Sequence, residues 1–298
     1  MSARSIQRRL VDGARLMRLN KPVGIGLLLW PLLWALWIAT GGHPPMKILV
    51  IFVAGTIVMR SAGCVINDFA DRDIDPHVKR TRDRPLAARR LSPYEALGLF
   101  LALLAVALWL VTRLDAKTVQ YAFVGAGLTA TYPFMKRFFP LPQLYLGAAF
   151  GWAIPMVFVA TLGDVPRVGW LLFVVAVLWA GVYDTLYAMV DRDDDLKLEV
   201  RSSAILFGDM DRVIIGGMQA MVLLGLVSAG RLMALHWPFW LALAGGAGLF
   251  AYQQWLIRNR ERDPCFRAFS NNNAFGLLVF AGVVASYVSE VDLLARQF

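Results

Sequence analysis

Two short stretches hold most of the residues that could do chemistry. Ala62 to Arg90 reads AGCVINDFADRDIDPHVKRTRDRPLAARR. It begins as the tail of an apolar run and turns acidic through Asn67, Asp68, Asp71, Asp73 and Asp75. It then becomes strongly basic through Lys79, Arg80, Arg82 and Arg84. Tyr183 to Ser203, YDTLYAMVDRDDDLKLEVRSS, closes another apolar run in the same manner. Of the 21 Asp and Glu, 11 fall between Asn67 and Asp83 or between Asp184 and Glu199. Carboxylates at the edge of apolar runs are costly and call for a partner.

The spacing indicates what that partner is. On a helix, Asn67, Asp71 and Asp75 recur every four residues and share a face; Asp184, Asp191 and Asp195, spaced by seven and four, share another. Oxygen ligands on two facing helices suit a hard cation such as Mg²⁺, which prefers one or two carboxylates plus water and phosphate to an all-protein cage. A helix C-terminus also favours a cation. The neighbouring Lys79, Arg80, Arg82, Arg84, Lys197 and Arg201 are placed to neutralise phosphate oxygens around such metals. A diphosphate so compensated is a good leaving group. Either loop alone would pass as a solvated stretch of mixed charge, but two with matching helical spacing at corresponding positions of a repeat point to function.

Other candidates stand close by. Arg60 lies two turns before Asn67 on roughly the same face, and a guanidinium at that depth needs a counter-charge. That charge is either the carboxylate of an acceptor substrate or an Asp of the acidic cluster. Tyr132 and Lys136, four apart in TYPFMKR, share a face but also fit an interfacial Tyr–Lys belt. Trp30, Trp34, Trp37 and Trp237 read as packing or interface residues. Ser202, Ser203 and the Asn271–Asn273 run read as helix caps. No Ser/His/Asp or Cys/His arrangement is present, and the three histidines are scattered. Cys64 and Cys265 lie too far apart in sequence to suggest a zinc motif or a disulfide framework.

The elements that position these residues are membrane spans. The 298-residue chain is 58% apolar, with a mean hydropathy of +0.56, and the excess is gathered in continuous runs long enough to cross a bilayer. Strands of a barrel would alternate and be shorter. The expected fold is all-α: a polytopic membrane protein with about nine transmembrane helices in one bundle. The spans are placed at about 23–41, 46–66, 94–113, 118–135, 141–162, 168–190, 213–235, 237–257 and 274–290. Nothing splits the chain, so residues 1–298 read as one integral membrane domain, with a basic surface segment at about 1–22 and no cleavable signal peptide. Spans two and six both end in Asp-rich segments, a weak parallel repeat.

Basic residues orient the bundle. With the N-terminus inside, the N-terminal segment and the loops after even-numbered spans hold 23 of the 30 Lys and Arg, against six on the other side. This places the N-terminus and both acidic loops in the cytoplasm and the C-terminus outside. The net charge of +9 is thereby accounted for without nucleic acid, and the lipid bilayer is the implied partner.

Asn67-Asp68-x-x-Asp71-x-x-x-Asp75 resembles the first signature of the UbiA superfamily of membrane prenyltransferases. Asp191-x-x-x-Asp195 resembles the second, and Tyr132-x-x-x-Lys136 a shorter family motif. The wording around both is similar to the bacterial 4-hydroxybenzoate polyprenyltransferases of ubiquinone synthesis, and the resemblance covers essentially the whole chain. It implies polyprenyl diphosphate and 4-hydroxybenzoate as substrates, Mg²⁺ as cofactor, no obligate protein partner, and the bacterial inner membrane as location. It implies metal binding through Asn67, Asp68, Asp71, Asp75, Asp191 and Asp195. It implies diphosphate binding by Lys79, Arg80, Tyr132, Lys136, Lys197 and Arg201, and acceptor carboxylate binding by Arg60. The catalytic set is Asp71, Asp75, Asp184, Asp191 and Asp195, with Asp184 or Asp191 polarising the phenol or accepting the ring proton. The alternatives are another acceptor (a naphthoate, homogentisate, haem or a chlorophyll precursor) or a secondary transporter for an anionic solute.

Overall fold

Proline and glycine set the helix boundaries. In the computed structural model, which describes residues 3–77, 81–135, 141–197 and 202–295, a surface helix α1 (Ala3–Leu16) precedes α2 (Val23–Ala39), which starts just after Pro22. Gly41 and Gly42, both at positive φ, make the turn into α3 (Met46–Ala70) behind Pro45. A Cβ on Gly42 would also come within 2.6 Å of Tyr287 Cβ, so only glycine fits there. Next comes α4 (Pro93–Val111), whose N-terminus is closed by a capping box of Ser92 and Glu95. It is followed by α5 (Ala116–Met135). The next span is broken into α6 (Pro142–Gly151) and α7 (Ala153–Leu162). Pro155 removes a donor and crowds the carbonyl four residues back, which places the break at Gly151–Trp152. Then follow α8 (Arg167–Lys197), the short α9 (Ser203–Phe207), α10 (Asp211–Leu232), α11 (Trp237–Leu256) and α12 (Arg262–Ala295). No strand occurs among the described residues.

Among the described residues, six segments are long and apolar enough to cross a membrane: Met46–Ala70, Pro93–Val111, Pro142–Leu162, Arg167–Arg192, Ser203–Leu232 and Arg262–Ser289. The remaining three expected spans fall on α2, which has 17 residues, and on α5 and α11, where Thr and Gln dilute the apolar residues. The core forms where α2, α7, α8, α10, α11 and α12 meet, and Trp34 stacks on Trp179 there at 5.2 Å. By contrast, α4 buries only Ala96 and Val111 and presents Leu101, Val106, Leu108 and Trp109 outward. Such a surface suits lipid rather than water.

The Asn run is not a cap. It lies inside α12, which begins at Arg262, well ahead of the expected 274. Each amide serves a different helix. Asn271 accepts from Gln253 of α11 (2.9 Å), Asn272 from Trp179 of α8 (2.8 Å), and Asn273 from Trp30 of α2 (3.1 Å). Neighbouring helices satisfy these polar groups, so the run does not break the helix. Ser202 does stand at the N-cap position of α9, but its hydroxyl makes no capping bond.

Candidate active site

The two acidic stretches are built differently. A single helix, α8, carries the second stretch as far as Lys197, so Asp184, Asp191 and Asp195 keep the shared face that their spacing predicts. In the first stretch, α3 ends at Ala70 and Asp71 is its C-cap, donating its N–H to Asn67 O at 3.0 Å. Asp75 lies beyond the helix, in a single 3-10 turn, Asp75–His77. The shared face therefore holds for Asn67 and Asp71 but not for Asp75. The helix has already ended at Ala70, so the four-residue spacing no longer sets the direction of the Asp75 side chain.

Two buried carboxylates of this stretch, Asp68 and Asp75, have guanidinium partners. Arg18 Nη2 donates to Asp68 Oδ1 at 2.7 Å and to Oδ2 at 2.9 Å. Arg84 Nη1 donates to Asp68 Oδ1 at 3.1 Å and to Asp75 Oδ2 at 2.8 Å. Asp68 is 1% and Asp75 5% exposed. Burial pushes the Asp75 carboxyl above the ordinary carboxylate range, with Arg84 pulling the other way. The Thr81 hydroxyl donates to Asp75 O at 2.9 Å and ties the loop back on itself.

The two stretches converge with Arg60 and Tyr132. Asp71, Asp184 and Arg60 all lie within electrostatic reach of Tyr132. Tyr183 is within reach of Asp184 and Arg60, and Asp184 of Asp191. Arg60 donates to Cys64 Sγ one turn along α3 and makes no ion pair among the described residues. Its head rests where a side chain on Gly24 would be, 2.7 Å from the position of a Cβ. The internal salt bridge that sequence alone left open is therefore not formed.

Below this cluster a cavity of about 310 Å³ opens between α3, α4, α5 and α7. Ile51, Gly55, Leu108, Phe123, Phe150 and Met156 are among its lining residues, and among the described residues Arg60 is the only charged group on its wall. It is a greasy slot with a cation at its polar end.

Of the other expected residues, Lys79, Arg80, Lys136 and Arg201 lie outside the described residues, and Lys197 is the last described residue of α8. Among the described residues no group of three or more His, Cys, Asp or Glu is close enough to cage a metal ion. The six-residue metal set is thus not an all-protein cage. The donors do fit Mg²⁺ shared with a phosphate, which takes only one or two carboxylates per ion.

Sequence reasoning missed three residues. Arg18 reads in the sequence as part of a basic surface segment and Arg84 as a neutraliser of phosphate oxygens, yet both hold buried carboxylates. The third, Asp211, is fully buried at the start of α10, held by Arg260 at 2.8–3.1 Å and facing Arg192 at 3.6 Å. It anchors the end of α8 beside Asp191, and Asp194 meets Arg262 at 3.6 Å.

Comparison with known proteins shows the family and the fold. Residues 28–281 match the model of the UbiA prenyltransferase family. The chain is 57% identical over 284 residues to a 4-hydroxybenzoate octaprenyltransferase of Alkalilimnicola ehrlichii, covering 95% of this chain and 97% of that one. It is 56% identical to one of Nitrosococcus oceani, covering 95% and 100%. Among solved structures it is similar to a UbiA homologue of Aeropyrum pernix, with a TM-score of 0.76, 24% identity, and 87% and 97% coverage. It is also similar to one of Archaeoglobus fulgidus bound to GPP and Mg²⁺, with a TM-score of 0.66, 17% identity, and 90% and 99% coverage.

Proposed function

Because the chain belongs to the UbiA prenyltransferase family, we propose that it transfers a polyprenyl group from polyprenyl diphosphate to the 3-position of 4-hydroxybenzoate, releasing diphosphate, as a step of ubiquinone biosynthesis. The observation that carries this reading is the apolar cavity that ends at Arg60 beneath the facing carboxylates of α3 and α8. A lipid-soluble tail belongs in the cavity, a diphosphate among the acidic and basic loops, and an aromatic carboxylate at Arg60.

Asn67, Asp71, Asp191 and Asp195, with the oxygen of Asp75 that Arg84 does not take, are the donors we assign to Mg²⁺. Asp68 is left out, since both its oxygens accept from Arg18. Bound with the diphosphate, Mg²⁺ supplies compensation for the charge that develops on the leaving group. Tyr132, Lys79, Arg80, Lys136, Lys197 and Arg201 hold the diphosphate oxygens. The bond between the allylic carbon and the bridging oxygen breaks, and its electron pair leaves with diphosphate. The bundle shields the allylic cation from water while the ring carbon ortho to the phenol attacks it. The ring proton then passes to Asp184 or Asp191.

Purified protein in detergent, given polyprenyl diphosphate and Mg²⁺, should form product with 4-hydroxybenzoate and not with a naphthoate or homogentisate. Product with one of those acceptors instead would move the chain to another branch of the family. Arg60→Ala should raise the acceptor KM by roughly 10- to 100-fold, because a hydrogen bond to a charged group is worth about 1.5–3 kcal/mol. The donor KM should stay where it is, and Arg60→Lys should recover part of the loss. An unchanged acceptor KM in Arg60→Ala would remove this assignment.

We place the protein in the bacterial inner membrane as one integral domain over residues 1–298, with the N-terminus and acidic loops cytoplasmic and the C-terminus periplasmic. The bias of Lys and Arg supports this orientation. Alkaline phosphatase fused after Phe298 should then be active in cells, and an inactive but expressed fusion would reverse the orientation.

A further inference from the structure

We infer that Arg84 is a positioning residue for the acidic site, and that Arg18 couples helix α1 to that site through Asp68. The inference rests on the reading that Asp75 serves a metal-bound diphosphate.

The Asp75 N–H donates to Asp71 O at 2.8 Å and places the backbone of the turn, but it leaves the direction of the Asp75 carboxylate to its side-chain partner, Arg84. Asp68 sits within α3, whereas Asp75 lies past its end in the following turn, and the single Nη1 of Arg84 reaches both, at 3.1 Å and 2.8 Å. The guanidinium thereby fixes the loop carboxylate relative to the helix that carries Asn67 and Asp71. It takes only Oδ2 of Asp75, and Thr81 holds the carbonyl of the same residue. Two guanidiniums face two carboxylates, so the unit Arg18–Asp68–Arg84–Asp75 is neutral, as groups this buried require.

The other end of the unit is the N-terminal helix. Arg18 follows α1 in a left-handed conformation, φ 58°, and grips both oxygens of Asp68. Just before it, Leu16 is fully buried against Val65, Leu86, Leu91 and Ala96. The same helix also meets the loop through Arg90–Asp12 at 3.0 Å and α4 through Arg9–Glu95 at 2.6 Å. Those contacts are exposed and weak by comparison. A basic helix that lies on the surface is thus plugged into the acidic loop at one apolar and one charged point. When α1 is docked, Asp68 is held, and through Arg84 so is Asp75.

The test reads metal binding without turnover. Detergent-purified protein is titrated with Mn²⁺ in the presence of inorganic pyrophosphate and no prenyl donor, and free Mn²⁺ is followed by EPR. Arg84→Ala should weaken binding about 10- to 100-fold, as loss of a residue that orients a ligand does, and Arg84→Lys should recover part of it. Arg18→Ala should weaken binding less and make α1 more sensitive to protease. On an Asp68→Ala background, Arg18→Ala should add nothing, because its path to the site is gone. Unchanged binding in Arg84→Ala, with helical content intact, would overturn the inference. So would an Arg18→Ala loss of equal size in both backgrounds, which would make Arg18 a direct ligand of pyrophosphate. Absence of Mn²⁺ binding by the wild type would instead bring down the metal-site reading beneath the inference, and the inference with it.

Discussion

Asp71→Ala and Asp191→Ala should each lower prenyl transfer by about a thousandfold or more, and added Mg²⁺ should not restore it. Removing one preorganised group that stabilises a developing charge costs roughly 10²–10³-fold. Here the lost carboxylate also holds the ion that carries most of the compensation. The two variants remove one donor from each helix, so neither half of the site can substitute for the other. Both proteins should still fold. The N–H of Asp71, not its side chain, closes the end of α3, and α8 runs unbroken through Asp191. The measurement is product formation from polyprenyl diphosphate and 4-hydroxybenzoate over a Mg²⁺ series. Activity within tenfold of wild type for either variant would take that residue out of the metal set.

The common face of Asn67 and Asp71 at the end of α3, and of Asp184 and Asp191 along α8, was legible in the sequence because a spacing of four or seven on a helix dictates it. Asp75 shows where that logic stops. Its spacing continues the pattern, but α3 ends at Ala70, and Asp75 is held at the site by its N–H bond to Asp71 O and by Arg84. Arg18 meets Asp68 across 50 residues and Arg260 meets Asp211 across 49. No periodicity registers such pairs: Asp68 reads in the sequence as a metal donor, and nothing in the spacing marks Asp211. The Asn271–Asn273 run failed for a related reason. Three adjacent amides look like a helix stop in water, but inside a bundle each finds a donor on a different neighbour. Six of the nine expected spans were readable from apolar run length, because a bilayer demands it.

The cavity leads to the second large effect, on donor length. Gly55 lines the slot on α3, and no atom lies within 4 Å of where its Cβ would be. It is five residues from Arg60, about 7.5 Å along the helix axis, so a bulky side chain there would narrow the slot away from the reacting end. Gly55→Phe should therefore cut kcat/KM for octaprenyl diphosphate by about 10²-fold, the cost of a misplacement near 1 Å at the reacting carbon. Dimethylallyl diphosphate, too short to reach the obstruction, should react as in the wild type. The loss cannot be offset by burying the tail elsewhere in the protein, because the bilayer solvates it equally well and apolar contact supplies no driving force there. Gly217→Phe is the control. It stands on α10 with equally open space and does not line the slot, so it should leave both donors unaffected. A Gly55→Phe enzyme that loses both donors alike would mean that the phenylalanine disturbs α3 itself, and the slot would then no longer be the seat of the prenyl chain.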